Sequence, residues 1–141
     1  MPVTRTLTAA FDYFGARATN VRWGWAAESA DGSVVVITLW SDQIRREGTT
    51  ILYSTGDRAD LPNWVRRPGN RDRKKKLQHA IDHCGGLFRA VIVEAVDPAA
   101  DVRTTRKQYR AAEDLVMKIE SFDPVTGEFT AWSVKSSERQ I

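Results

Sequence analysis

One stretch of the chain, residues 34–40, most constrains the fold. Its sequence, VVVITLW, is apolar at successive positions, so both faces of an extended strand there need burial, as in the centre of a sheet. Asp31-Gly32 comes just before it and follows another β-rich run, which favours a tight hairpin. The sequence therefore predicts a hairpin of strands 22–29 and 33–41, in which facing residues have numbers that add to about 63.

The rest of the chain alternates between helical and strand patterns. Helices are predicted over 6–16 and 71–84, the second capped by Asn70 and ended by Gly85-Gly86. Other strands are predicted over 50–54 and 87–96, with a final hairpin over 115–122 and 128–134. Residues 55–70 form a long loop, and 99–113 a loop with a helical turn.

This order of elements predicts one α+β domain over residues 1–141. The expected fold is a small, curved, mostly antiparallel sheet or a partly open β-barrel, with two or three helices. The polar tail, 135–141, is expected to fray.

Composition excludes several classes of protein. Hydrophobic residues make up 42% of the 141 residues and charged residues 28%, which is a globular composition. No apolar run is long enough to span a membrane, and the N-terminal residues lack a secretory signal, so no membrane partner is expected. The single cysteine, Cys84, fits a reducing compartment, and the predicted location is the cytoplasm. No motif for a cofactor occurs, and none is predicted.

Tryptophan is unusually frequent, with five in the chain. Trp23 and Trp25 share one face of the first hairpin strand, and the pairing rule places Trp23 opposite Trp40. Together with Trp64 in the long loop, they are predicted to form an aromatic cage for a planar or cationic ligand, such as an extruded base. The alternative is that these rings are ordinary core.

Polar residues near this predicted cage could contact the edge of a bound base. Asp42 follows Trp40 closely, and its carboxylate is the first choice for such a contact. Asn20 and Ser54 are further candidates. The alternative interpretation of all three is that they are polar residues at strand ends.

Basic residues are concentrated between positions 66 and 76, although the net charge of the chain is only +3. The seven cations are Arg66, Arg67, Arg71, Arg73, Lys74, Lys75 and Lys76. They lie before and within the start of the second predicted helix, where cations oppose the helix dipole. We expect them to be exposed, opposite the apolar stripe of Leu77, Ala80, Ile81 and Cys84. They are predicted to bind phosphates, and the alternative is a solvated helix face.

Catalytic and metal sites have weak support in the sequence. His79 and His83 are one helical turn apart, but the glutamate of a zinc-protease helix is absent, and no metal site is predicted. Glu94, Asp97 and Glu120, with Lys118, are available for a metal-dependent nuclease, but their pattern resembles ordinary strand-surface alternation. The chain is therefore predicted not to be an enzyme.

Several segments resemble the PUA-like superfamily, whose EVE, YTH, ASCH and SRA-type branches bind modified bases. Val21-Arg-Trp-Gly-Trp25-Ala-Ala is similar to the segment that opens such pockets. Residues 86–95 resemble the central strand after the basic helix, and 115–132 the closing hairpin. The resemblance spans roughly residues 20–134, and it concerns architecture rather than a diagnostic motif. It implies a base in an aromatic pocket and phosphates held by arginine and lysine.

We therefore predict a nucleic-acid-binding module, with DNA favoured over RNA, that recognises a modified, methylated base. The resemblance implies a stand-alone reader or a specificity domain linked to restriction, since prokaryotic members are often fused to nuclease domains. One alternative is a small metal-dependent nuclease or RNA-modifying factor that uses Glu94, Asp97 and Glu120. Another is a module that binds a protein or a small ligand.

Overall fold

A computed structural model describes residues 3–18, 25–55, 68–97 and 105–134. Within these ranges the chain forms nine strands, two α-helices and one 3₁₀ turn, Ser41–Gln43. The helices are α1 (Leu7–Tyr13) and α2 (Pro68–His83). The strands are β1 (Val3–Thr4), β2 (Ala16–Arg17), β3 (Ala26–Ser29), β4 (Val35–Trp40), β5 (Ile44–Glu47), β6 (Thr50–Ser54), β7 (Leu87–Ala95), β8 (Thr105–Phe122) and β9 (Phe129–Ser133).

All the strands belong to one sheet, in the order β2-β3-β4-β7-β8-β9-β6-β5, and β1 pairs with β8 outside this path. Every pair is antiparallel except β4 with β7. The predicted α+β class with a mostly antiparallel sheet is therefore confirmed, and the sheet is open.

The sheet is strongly curved. The backbone N–H of Trp40, at the end of β4, donates to the Tyr53 hydroxyl of β6 across 3.3 Å. Three strands lie between β4 and β6 in the sheet, so the contact is possible only because the sheet bends around its inner face.

The predicted hairpin and its register are confirmed. Ala26 faces Ile37 and Ala27 faces Val36, so the numbers of facing residues add to 63 as expected. The Asp31 carboxylate accepts hydrogen bonds from the hydroxyls of Ser29 and Ser33, which lower its pKa to about 2. The turn is thus fixed by its own polar side chains.

Each face of the sheet has its own core. On the inner face, Leu77 and Ala80 of α2 pack with Ile37, Leu39 and Phe88. The outer face carries α1 over part of its area, with a cluster that includes Ala10, Phe11, Val36, Val91 and Val93. The two helices therefore lie on opposite faces.

Three sequence predictions need correction. Helix α2 begins at Pro68, and Asn70 is inside it rather than at its cap, because the Asn70 side chain is buried against the β8–β9 turn. Ile81, placed in the apolar stripe, is 40% exposed. Residues 105–113, expected in a loop, belong to β8. Their sequence is charged and lacks the apolar alternation of a strand, but pairing with β7 and β1 stabilises the extended conformation.

Candidate functional site

The described candidate residues gather where the bend of the sheet brings the turn after β4 against the end of β6. Trp25 lies just before β3, Trp40 ends β4, and Ser54 ends β6. The Gln43 side-chain amide donates to the Ser54 carbonyl across 3.0 Å, which holds the turn after β4 against the end of β6. Asp42, in the same turn, is exposed to solvent. We refer to this region, together with the first turns of α2, as the α2 end of the sheet.

The start of α2 is fixed to the β8–β9 turn. The Asn70 side-chain amide donates to the Thr126 carbonyl across 2.9 Å, and the Lys74 ammonium donates to the Val125 carbonyl across 3.2 Å. Gly127 has a φ of 86°, and a Cβ there would overlap the Asn70 amide. The turn therefore needs glycine for both conformation and space.

Arg73 is enclosed between aromatic rings. Its side chain is only 4% exposed, and its guanidinium carbon lies 5.0 Å from the centroid of the Trp25 ring and 5.3 Å from that of Phe129. One guanidinium nitrogen donates to the Asn70 side-chain oxygen across 3.2 Å. Burial lowers the pKa of Arg73 to about 10, so the group keeps its charge at neutral pH. It therefore interacts with both rings as a cation.

The expectation that the cations of α2 are exposed is wrong for Arg73 and Lys76. Lys76 is 7% exposed, and its ammonium lies 2.9 Å from a carboxylate oxygen of Glu28 in β3. The His79 ring donates to the Gly32 carbonyl across 2.7 Å. This side of α2 is thus docked on the β3–β4 hairpin, because the helix crosses β3, β4 and β7 instead of lying free on the surface.

Two of the predicted phosphate-binding cations are exposed among the described residues of α2: Arg71 and Lys75. They are four residues apart, so they share one side of the helix. Lys74 is half-buried beside the β8–β9 turn. Arg66 and Arg67 lie outside the described residues.

A cavity of about 350 Å³ opens between the end of β6 and the β8–β9 hairpin. It is lined by Ser54, Thr55, Ser121, Phe122, Asp123, Glu128, Phe129 and Thr130. The volume is within the usual range for small-ligand sites. Phe129 borders the cavity and also contacts Arg73, so the cavity and the start of α2 share a wall.

The chemistry of the cavity suits a planar polar ligand. Phe122 supplies apolar surface, while hydroxyls and the carboxylates of Asp123 and Glu128 supply hydrogen-bond acceptors. Two backbone N–H groups of the turn donate to Asp123 and lower its pKa, so this carboxylate stays ionised. Of the lining residues, sequence reasoning found only Ser54, because the others resemble an ordinary hairpin and converge only through the pairing of β6 with β9.

The described tryptophans of the predicted cage have different neighbours. The backbone N–H and the hydroxyl of Thr38 both donate to the Trp25 carbonyl across 3.0 Å, so the predicted pairing of these residues is confirmed. The ring of Trp25 lies under Arg73, however, whereas Trp40 packs at the margin of the cluster beneath α1. Trp23, Trp64 and Asn20 lie outside the described residues, and the cage stays a prediction.

The carboxylates considered for a nuclease do not converge. Glu94 lies near the end of β7, where it accepts from Arg110 across 2.7 Å. Lys118 pairs with Leu87 at the start of the same strand, seven residues before Glu94. At 3.3 Å per residue, Lys118 is therefore about 23 Å from Glu94. Glu120 lies two residues beyond Lys118, still further away. In the part of the chain that the structure describes, no three His, Cys, Asp or Glu side chains are grouped to hold a metal.

Neither α1 nor α2, nor any other helix of the described ranges, has the length and apolar character needed to cross a membrane. Comparison of the chain with family models, curated proteins and solved structures finds no match. The resemblance to the PUA-like superfamily therefore stays a prediction.

Proposed function

We propose that the chain is a nucleic-acid-binding module that recognises a modified base at the α2 end of the sheet. The observation that carries this proposal is the cavity between β6 and the β8–β9 hairpin, together with the basic helix start fixed beside it. A cavity with an aromatic ring and hydrogen-bond acceptors, beside exposed cations, suits the two parts of a nucleotide, a flat base and a negative phosphate.

The base would occupy the cavity. The ring of Phe122 offers it apolar surface, and Ser54 and Glu128 offer hydrogen-bond acceptors to its edge. Asp42 is exposed on the turn that Gln43 holds against β6, so it is accessible for the predicted edge contact. A methylated base in DNA, recognised by a stand-alone reader or by the specificity part of a restriction system, is the ligand that the PUA-like resemblance implies.

The phosphates would contact Arg71 and Lys75. Both are exposed on the same side of α2. The acid between them in sequence, Asp72, is half-buried and forms an ion pair with Lys76. Arg73 and Lys76 have a different role in this proposal. They hold α2 on the sheet through Trp25 and Glu28, and so they position the helix start rather than touch the ligand.

The test is fluorescence anisotropy with matched DNA and RNA oligonucleotides, either unmodified or carrying 5-methylcytosine, 5-hydroxymethylcytosine or N6-methyladenine. The proposal expects one modified probe to bind more tightly than its unmodified partner, with affinity that falls as salt rises. Glu128→Gln should reduce the difference between the two probes, and Glu47→Gln, a matched change on edge strand β5, should leave it unchanged. Equal affinity for all modified and unmodified probes would contradict base recognition.

A small-ligand-binding module is the second candidate, because the same cavity has a volume suited to a metabolite. This alternative expects no binding to any oligonucleotide and a salt-insensitive affinity for a non-nucleic ligand. The same oligonucleotide titration therefore separates the two candidates.

A further inference from the structure

A row of side chains crosses four neighbouring strands on the outer face of the sheet. Strand pairing aligns Arg45 of β5 with Leu52 of β6, Leu52 with Trp132 of β9, and Trp132 with Lys118 of β8. The row begins on β5, at the open edge of the sheet. It places an indole ring between two cations. We call these four residues the Trp132 row.

The alternation of side chains along the strands places this row on the outer face. Tyr53 and Ala131, the chain neighbours of Leu52 and Trp132, are buried in the inner core with α2. Leu52 and Trp132 therefore point to the opposite face. They are half-buried there, and Arg45 and Lys118 are exposed. Helix α1 lies on the same face but packs against β1, β2 and β8.

An indole flanked by cations has the chemistry of a nucleotide-stacking surface. A base can stack on a partly exposed indole whatever its sequence, and nearby cations neutralise the phosphates of the same strand. With strands about 4.8 Å apart, Lys118 is about one strand spacing and Arg45 about two from Trp132, so both long side chains can reach phosphates beside a stacked base. Two acids moderate the positive charge: Glu47 on β5 and Glu120 at a bulge of β8.

The Trp132 row also lies next to the cavity at the α2 end. The adjacent row lies two residues further along β6 and β9, and three along β8 because of its bulge. It consists of Ser54, Thr130 and Ser121, and all three line the cavity. The hydroxyls of Ser121 and Thr130 are hydrogen-bonded at 2.6 Å. The two rows are about 7 Å apart along the strands, so one nucleic-acid strand can contact both.

We propose that the Trp132 row binds a single-stranded segment of nucleic acid, with one base stacked on Trp132 and the neighbouring phosphates on Arg45 and Lys118. The inference rests on the proposed function for the class of ligand. It adds a second contact surface, on the opposite face of the sheet from α2, that recognises no particular base.

The experiment measures the affinity of the full chain for an unmodified, fluorescein-labelled single strand about 12 nucleotides long, at several salt concentrations. Trp132→Ala should weaken binding by about tenfold, and Trp132→Phe, which keeps a stacking ring, by much less. Lys118→Ala and Arg45→Ala should each reduce the slope of log affinity against log salt by about 0.7. Arg17→Ala is the matched control, since Arg17 is an exposed cation on β2 at the other edge of the sheet.

Other results would overturn the inference. The inference about this surface is contradicted if affinity is unchanged in folded variants with Trp132→Ala, Lys118→Ala or Arg45→Ala. If these variants also keep the preference for the modified base, the proposed function still holds. If the wild-type protein binds none of the probes, both this inference and the proposed function are contradicted. A change in the oligomeric state of Trp132→Ala by light scattering, with unchanged affinity, would assign the row to a second copy of the chain. If Trp132→Ala does not fold, Trp132→Phe and the two cation variants decide the question.

Discussion

The Arg73 guanidinium stacks on the indole ring of Trp25, with its central carbon 5.0 Å from the ring centroid. A cation that the sequence places at an exposed helix start is thus part of the packing between α2 and the sheet. The Phe129 ring centroid lies 5.3 Å from the same guanidinium carbon, so Arg73 of α2 contacts both β9 and the residue just before β3. The basic segment therefore has two roles: some of its cations hold the fold together, and others are available to a ligand.

We expect Arg73→Ala to lower the free energy of unfolding by about 2 kcal/mol or more, because it removes a buried side chain and its contact with two rings. Arg71→Ala, on the exposed side of the same helix, should change it by no more than about 0.5 kcal/mol. Urea denaturation of both variants measures the difference. A double-mutant cycle with Trp25→Leu should give a coupling of about 0.5–2 kcal/mol, and additive effects would argue against a specific cation–π contact.

The division of the basic segment should also appear in the salt dependence of binding. Arg71→Ala and Lys75→Ala should each reduce the slope of log affinity against log salt by about 0.7–0.9, since each removes one phosphate contact. Arg17→Ala, which removes an exposed cation on edge strand β2 outside the helix start, should leave the slope unchanged. Anisotropy titrations at a series of salt concentrations measure this. Equal slopes in all three variants and wild type would mean that the helix start does not contact phosphates.

Gly127 gives a sharp test of the contact between α2 and the β8–β9 turn. Gly127→Ala places a methyl group against the Asn70 amide and also forces alanine into a left-handed conformation. Gly15→Ala has the same conformational cost, since its φ is 71°, but it meets no atom within 4 Å. We expect about 1–2 kcal/mol of destabilisation for Gly15→Ala and clearly more for Gly127→Ala.

Thermal or urea unfolding of the two glycine variants compares these costs directly. The double variant Gly127→Ala with Asn70→Ala removes the steric overlap, so its loss of stability should be smaller than the sum of the two single losses. Identical losses for Gly15→Ala and Gly127→Ala would show that the turn can move away from the helix.

Stability should depend on pH in the acid range. The Lys76 ammonium donates to Glu28 and lowers the pKa of that carboxyl, and hydrogen bonds lower those of Asp31, to about 2, and Asp123. Each folded-state pKa is below the unfolded value of about 4. Their stabilisation is therefore complete above that unfolded value and is lost as the pH falls through the folded values.

The midpoint of thermal unfolding should accordingly fall as the pH is lowered from about 5 to about 2. Glu28→Gln keeps the size of the side chain but removes one of the three groups, so its midpoint should vary less over this interval. Scanning calorimetry of wild type and variant at several pH values measures both effects. A wild-type midpoint that is constant between these pH values would contradict the assignment.

Local sequence patterns predicted the parts of the fold that depend on neighbouring residues. The Asp31-Gly32 turn specified the hairpin and its register, and the apolar run of β4 specified a strand inside the sheet. Edge strand β5 was not predicted, because three of its four residues are exposed and give no alternation. The first half of β8 was not predicted either, because its position depends on its partner strands.

The candidate site was less predictable, because distant segments create it. Ser54 was a candidate from its neighbours in sequence, but Glu128 and Thr130 join it only through the pairing of β6 with β9. Trp132 was assigned only to the closing hairpin, although its strand alternates buried and half-buried residues. That alternation shows that the ring is on the outer face, but not that Arg45 and Lys118 flank it. The burial of Arg73 and Lys76 likewise depends on where α2 docks.

The single parallel pair in the sheet has a consequence for how the chain folds. β4 joins β2 and β3 to the rest of the sheet through β7, and β6 pairs with β9 on the far side. A fragment that ends before α2 therefore has neither partner, and a fragment that begins at α2 lacks the strands that flank its own. Neither half can nucleate a lasting structure alone, so we expect the two halves to reach the native state in one cooperative step.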